Sequence, residues 1–83
     1  MMNLAQAPLH TMWRVRQIKP SAAAPERASQ LEEIGFLPGE WVSVLAHGFP
    51  GGDPLVVRVG MSTFALRKDE AVCIELAPKD DHA

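Results

Sequence analysis

The chain has 83 residues, 47% hydrophobic and 22% charged, with a formal net charge of -2 and one cysteine. That is a single small domain, which buries only about 60% of its unfolded surface, so the core is thin and any chemistry must sit in a few side chains. The charge balance gives no broad attraction to nucleic-acid phosphates, Cys73 has no partner for an internal disulfide and suits a reducing cytoplasm, and no apolar run approaches the ~20 residues of a membrane span.

Residues 1–11 lack a basic start and a sustained apolar stretch, so they read as a weakly structured N-terminal segment and not as a signal peptide. Leu4 and Leu9 are placed to dock back onto the body. Met12 to Ile18 then alternates, with Trp13 and Val15 on one face and Arg14 and Arg16 on the other, the period of a half-buried strand. Ile18 breaks the parity, which predicts a bulge or strand end near Gln17. Pro20 to Pro25 is a connector, with Pro25 suited to the first position of a helix. Ala24, Ala28, Leu31 and Ile34 recur at helical spacing while Glu26, Arg27, Gln30, Glu32 and Glu33 face water, predicting a helix of about ten residues. A helix that short holds only by packing on the sheet.

Its end is the strongest local signal. Gly35 can take the left-handed conformation that closes a helix, which sets Phe36 against Leu31. Pro38-Gly39 follows as a tight turn, the proline fixing its first corner and the glycine its second. Trp41 to Ala46 is a strand with Val42, Val44 and Ala46 on one face, and His47 to Pro54 is a loop by composition. Leu55 to Val59 is the next strand, with Leu55, Val57 and Val59 inward; Gly60-Met61-Ser62 reverses the chain into Thr63 to Leu66. Arg67 to Glu70 is a charged turn that a single turn of 3₁₀ helix would satisfy. Ala71 to Leu76 is the last strand, with Val72, Ile74 and Leu76 sharing a face, and a flexible tail is expected over 78–83. The domain proper therefore runs over 12–77. Five short strands with one helix between the first and second make a mostly β fold, and a small closed barrel is expected because closure removes exposed sheet edges.

Three segments, Arg27-x-x-x-Leu31-x-x-Ile34-Gly35-Phe36-x-Pro38-Gly39, Gly52 to Gly60 and Ala65-Leu66-Arg67-Lys68-x-Glu70-Ala71-x-x-Ile74-x-Leu76, together resemble the FeoA family. The resemblance covers Met12 to Leu76, in the family's order. It implies an SH3-like β-barrel and an accessory role in bacterial ferrous iron uptake, through binding the cytosolic G-protein region of the FeoB membrane transporter. The same module is similar to the C-terminal domain of iron-dependent repressors, although no winged-helix or metal-sensing portion is present in this sequence. One position departs from the family: where a glycine-containing turn usually precedes the first strand, this chain has His10-Thr11-Met12. Leu31, Gly35, Pro38 and Gly39 match with structural jobs.

Of the soft or borderline metal-ligand types, His10, His47, Cys73 and His82 are scattered, with no CxxC, HxxH or HxxxH spacing that would set two on one helical face or turn. No cofactor is required on this reading. His10, His47, Asp81 and His82 remain candidates for adventitious capture of zinc or ferrous iron, including an ion shared between two copies. Ser43, Ser62 and Cys73 are nucleophiles by type alone, without a converging base, so no enzyme is expected. Gly48-x-x-Gly51-Gly52 lacks the Lys-Ser/Thr and the helix start of a phosphate loop and reads as a hairpin loop.

The apolar side chains without an inward role are more telling. Trp41 and Leu45 lie opposite Val42 and Val44, where the helix or the N-terminal segment is expected to cover them; the alternative is an exposed patch. Phe49, between Gly48 and Pro50, is hard to bury, and a projecting aromatic on a loop is a contact anchor. The expected partner surface is thus His47, Phe49, Pro50, Asp53 and Trp41, on a cytoplasmic protein that is a monomer or weak homodimer, without membrane insertion and without nucleic acid. The rival readings are a metal-binding or metal-sensing SH3-like module and a nucleic-acid-binding barrel, the latter requiring a basic aromatic face that the acidic balance disfavours.

Overall fold

The structure, a computed structural model, describes residues 2–78. Five antiparallel strands, β1 (Trp13–Ile18), β2 (Trp41–His47), β3 (Leu55–Val59), β4 (Ser62–Leu66) and β5 (Ile74–Leu76), form one sheet in the order β4-β3-β2-β1-β5. Helix α1 (Arg27–Glu33) lies between β1 and β2, and a short α2 (Lys68–Ala71) between β4 and β5.

The mostly β architecture and the five strands agree with the reading of the sequence, but the barrel does not close: β4 and β5 are the two ends of the sheet. The outer edge of β5 is taken instead by the N-terminal segment. Met2 accepts the Leu76 N–H at 2.8 Å and Asn3 bridges antiparallel to Glu75. A 3₁₀ turn over Leu4–Gln6 then packs against α2. Leu4 (0% exposed) and Ala7 sit fully in the core, so the segment expected to be weakly structured is part of the hydrophobic centre. Leu9 bridges in parallel to Val44, and the His10 N–H donates to the Val44 carbonyl at 2.8 Å. His10 has φ 63°, the left-handed conformation that a glycine supplies at no steric cost and that histidine tolerates better than most residues. The His10-Thr11-Met12 departure from the family pattern therefore keeps the turn and changes only its residue.

In β1 the register against β5 slips between Val15 and Gln17, the bulge that the parity break at Ile18 predicts. The bulge lets Val15 and Ile18 both turn inward. A second slip falls between Val44 and Ala46 of β2, which leaves Ala46 half-buried and not fully inward.

Helix α1 is shorter than expected and begins later. Ala24 accepts the Arg27 N–H at 3.0 Å, so Pro25 occupies a corner of the preceding turn, where its fixed φ is equally at home, and not the first helical position. At the other end the Gly35 N–H reaches the Glu32 carbonyl (3.1 Å) and the Phe36 N–H reaches the Leu31 carbonyl (3.1 Å), the paired bonds that close a helix through a left-handed residue. Gly35 has φ 122°. Because the helix stops there, Ile34 leaves the apolar stripe and is 40% exposed, whereas Leu31 and Phe36 are buried. The Glu40 N–H returns to the Leu37 carbonyl at 3.0 Å around Pro38-Gly39, with Gly39 at φ 89°. That turn is stitched to β1: the Gly39 N–H donates to the Val15 carbonyl and the Val15 N–H to the Glu40 carbonyl.

The last strand is also shorter than its pattern suggests. The charged turn is a turn of α-helix, α2, whose start is held by the Glu70 carboxylate accepting the Arg67 N–H at 2.8 Å. Ala71, Val72 and Cys73 are spent on completing it, so Val72 is 47% exposed and does not share the inward face of Ile74 and Leu76. Cys73 lies in the turn and not mid-strand, its thiol donating to the Asp69 carbonyl at 3.5 Å.

Candidate functional site

The connection between β2 and β3 is built to hold a shape. The Gly48 N–H donates to the Pro54 carbonyl at 2.7 Å and the Gly52 N–H to the Gly48 carbonyl at 2.9 Å. Gly48 is required by space: a Cβ there would lie 2.6 Å from the Pro54 carbonyl oxygen. Asp53 reaches outside the loop, its Oδ1 accepting the Lys68 N–H at 3.0 Å, which ties the loop to the start of α2. The side chain of His47 lies beside Gly52, where a Cβ would meet its Nδ1 at 3.7 Å. At the tip, Phe49 is 98% exposed and Pro50 is exposed with it. His47, Phe49, Pro50 and Asp53 are thus brought together on one loop with its aromatic facing solvent.

Trp41 is not part of that group. It opens β2 while His47 closes it, and six residues of strand at about 3.3 Å each put them about 20 Å apart. The expectation that the helix or the N-terminal segment buries Trp41 is not met: it is 44% exposed, with the Arg14 guanidinium carbon 4.5 Å from its ring centroid. Leu45 is half-buried. The reason lies in the register: Arg14 stands directly across from Trp41, and the turn at Pro38-Gly39 is committed to backbone bonds with β1 beside it.

The candidate metal ligands stay apart. Among the described residues no group of three or more His, Cys, Asp or Glu side chains converges. His10 and His47 are both exposed, and Asp81 and His82 lie outside the described residues. Ser43 is 4% exposed within the sheet, and among the described residues neither it nor Cys73 has a hydrogen bond to a histidine.

One polar cluster is not evident in the sequence. Glu75 is 8% exposed in β5, accepts a hydrogen bond from Gln17 Nε2 at 3.1 Å, and forms ion pairs with Arg16 Nε at 3.2 Å and Lys19 Nζ at 3.8 Å. The available signal is an acidic residue between Ile74 and Leu76 in a strand whose neighbour carries Arg16, Gln17 and Lys19. Both cations are well exposed, so these ion pairs seal the β1–β5 seam with little net stabilisation.

Comparison with known proteins fits this small antiparallel sheet. The FeoA domain family matches residues 2–78. The crystal structure of Stenotrophomonas maltophilia FeoA complexed with zinc, a prokaryotic SH3 domain protein put forward as a ferrous iron transport activating factor, is 40% identical with a TM-score of 0.83, covering 93% of this chain and 91% of that one. Iron(II) transport protein A from Clostridium thermocellum is 32% identical with a TM-score of 0.76, covering 90% of this chain but 44% of that one. A FeoA-like protein from Clostridium acetobutylicum, 22% identical over 99% of this chain and 91% of its own, shares the fold at a TM-score of 0.78. No match is found among curated proteins. With the match running from the edge-covering N-terminal segment through the last strand, the chain belongs to the FeoA family.

Proposed function

We propose that this protein is a cytoplasmic accessory component of bacterial ferrous iron uptake that docks on the cytosolic G-protein region of a FeoB-type transporter and modulates transport, with no catalysis of its own. The observation that carries the reading is Phe49, 98% exposed at the tip of a loop fixed at its base by Gly48 and at its flank by Asp53. A preformed loop presenting an aromatic loses little entropy on binding, and such side chains dominate interface energetics. Among the described residues no helix is long and apolar enough to cross a membrane, so the membrane-bound partner is expected to be met from the aqueous side. Replacing Phe49 with Ala or Asp is expected to weaken binding to the transporter's cytosolic region by about tenfold or more while leaving the thermal midpoint unchanged. Calorimetric titration alongside GTP hydrolysis checks it. Wild-type affinity in both variants removes the loop from the interface, and no binding by the unaltered protein removes the reading.

Zinc in the Stenotrophomonas maltophilia relative favours a second reading, capture of divalent metal. Among the described residues no group of three or more His, Cys, Asp or Glu side chains surrounds His10 or His47, and zinc seeks about four ligands, so an ion would be shared between copies. Sedimentation is expected to show a monomer that associates when zinc is added and reverts with a chelator, the effect falling in His10→Ala or His47→Ala. One-to-one uptake by the monomer would instead demonstrate a dedicated site.

A further inference from the structure

The end of the sheet remote from the Phe49 loop carries a second surface. Arg14 pairs across from Trp41 and lays its guanidinium over the indole. Ser43 lies on the same face as Trp41, two residues on, and stands opposite Arg58. Strand alternation turns Val42, Val57 and Val59 inward, which sends Trp41 and Arg58 outward. The Trp41 carbonyl accepts the Gly60 N–H at 3.2 Å, so the β3–β4 turn, with Met61 95% exposed, begins at the strand position next to Trp41.

The charges here are unbalanced. Arg16 and Lys19 pair with Glu75, and Arg27 with Asp69, whereas Arg14 and Arg58 have no carboxylate in ion-pairing range among the described residues. Arg14 has a backbone contact, its Nη1 3.4 Å from the Gly39 carbonyl. Glu40, on the same turn, sends its carboxylate towards Gly60, where a Cβ would lie 3.7 Å from its Oε1. Two guanidiniums without an ion-pair partner among the described residues therefore flank an exposed indole, with the single Glu40 carboxylate near Gly60 offsetting only part of their charge.

We propose that this face binds a short acidic segment of a partner protein that carries an apolar side chain. Its carboxylates take the Arg14 and Arg58 guanidiniums, whose forks match carboxylate geometry, and its apolar side chain lies on Trp41 and Met61. A local pair of cations suffices for such a segment, whereas a nucleic-acid strand requires a longer basic track. The surface is separate from the Phe49 loop and does not depend on which transporter that loop meets.

The test is fluorescence anisotropy of the full chain with three labelled probes: a peptide rich in glutamate, aspartate and leucine, its counterpart with lysine at every acidic position, and a single-stranded RNA. The acidic peptide alone is expected to bind, with affinity falling as salt rises. Arg14→Glu and Arg58→Glu are each expected to cost about tenfold. Arg67→Glu, the same charge change on an exposed residue at the other end of the molecule, is expected to stay within about twofold. Arg14→Lys, which keeps the charge and loses the stacked fork, falls between and guards against a folding artefact. The proposal is overturned if the acidic peptide does not bind, if the lysine peptide or the RNA binds as well, or if Arg67→Glu costs as much as Arg14→Glu. None of these results bears on the Phe49 experiment.

Discussion

Phe36→Ala is expected to lower the stability of the domain by about 3–5 kcal/mol. Phe36 is completely buried, follows the helix stop at Gly35, and meets Phe64 of β4 at a ring-centroid distance of 6.5 Å and an interplanar angle of 52°. Its removal takes away apolar burial and leaves a cavity between the exit of α1 and the sheet, at the point where one helix must be held by tertiary packing alone. Small domains are stable by only about 5–15 kcal/mol in total, so a visible unfolded fraction is expected near physiological temperature. Urea denaturation of the variant checks it: the midpoint falls while the slope is retained. A shift worth under about 1 kcal/mol would mean that the site collapses around the gap and that Phe36 is not central to the core.

Leu4→Ala is expected to cost about 2–5 kcal/mol, although it lies at the extreme of the chain. If residues near the N-terminus were an appendage, the substitution would change nothing measurable. Here Leu4 is fully buried in the same cluster as Ile74, Leu76 and Val15, and the turn it anchors covers the open edge of β5. Loss of that anchor frees the Leu76 N–H that Met2 accepts and exposes the edge, which is a hazard for association between copies. Thermal melts at two protein concentrations separate the effects, because destabilisation lowers the midpoint at both and edge pairing adds a dependence on concentration. A midpoint equal to wild type would show that the N-terminal segment is dispensable.

Most of the local architecture is legible in the residues. The parity of Trp13, Val15 and Ile18 locates the β1 bulge, Gly35 stops α1, and Pro38-Gly39 sets the turn, because each depends on backbone freedom within a few residues. The Phe49 loop is similarly readable: an aromatic fixed between Gly48 and Pro50 has no neighbour to bury it, and it is 98% exposed.

What failed to show depends on contacts far apart in sequence. Val72 fits the alternation of the last strand, but α2 consumes that position, and Ile34 fits the helical stripe, but the helix has already ended. Hydrophobicity groups Trp41 with Phe49, whereas the length of β2 puts them at opposite ends. Glu75 reads as an ordinary polar strand residue until register brings Arg16, Gln17 and Lys19 to it.

By itself, then, the sequence determined the five strands, α1, the turns around it and the family, since periodicity, glycine placement and the three matching segments are local properties of the chain. Only the tertiary structure decided that the sheet stays open and that Leu4 and Ala7 of the N-terminal segment belong to the core, because which edge β5 offers, and what covers it, follows from a hydrogen bond between positions 2 and 76 that no local pattern records. It also decided where the unpaired charge lies: net charge is a sum over the chain, while the exposed Arg14–Trp41–Arg58 face exists because cross-strand register gathered it there.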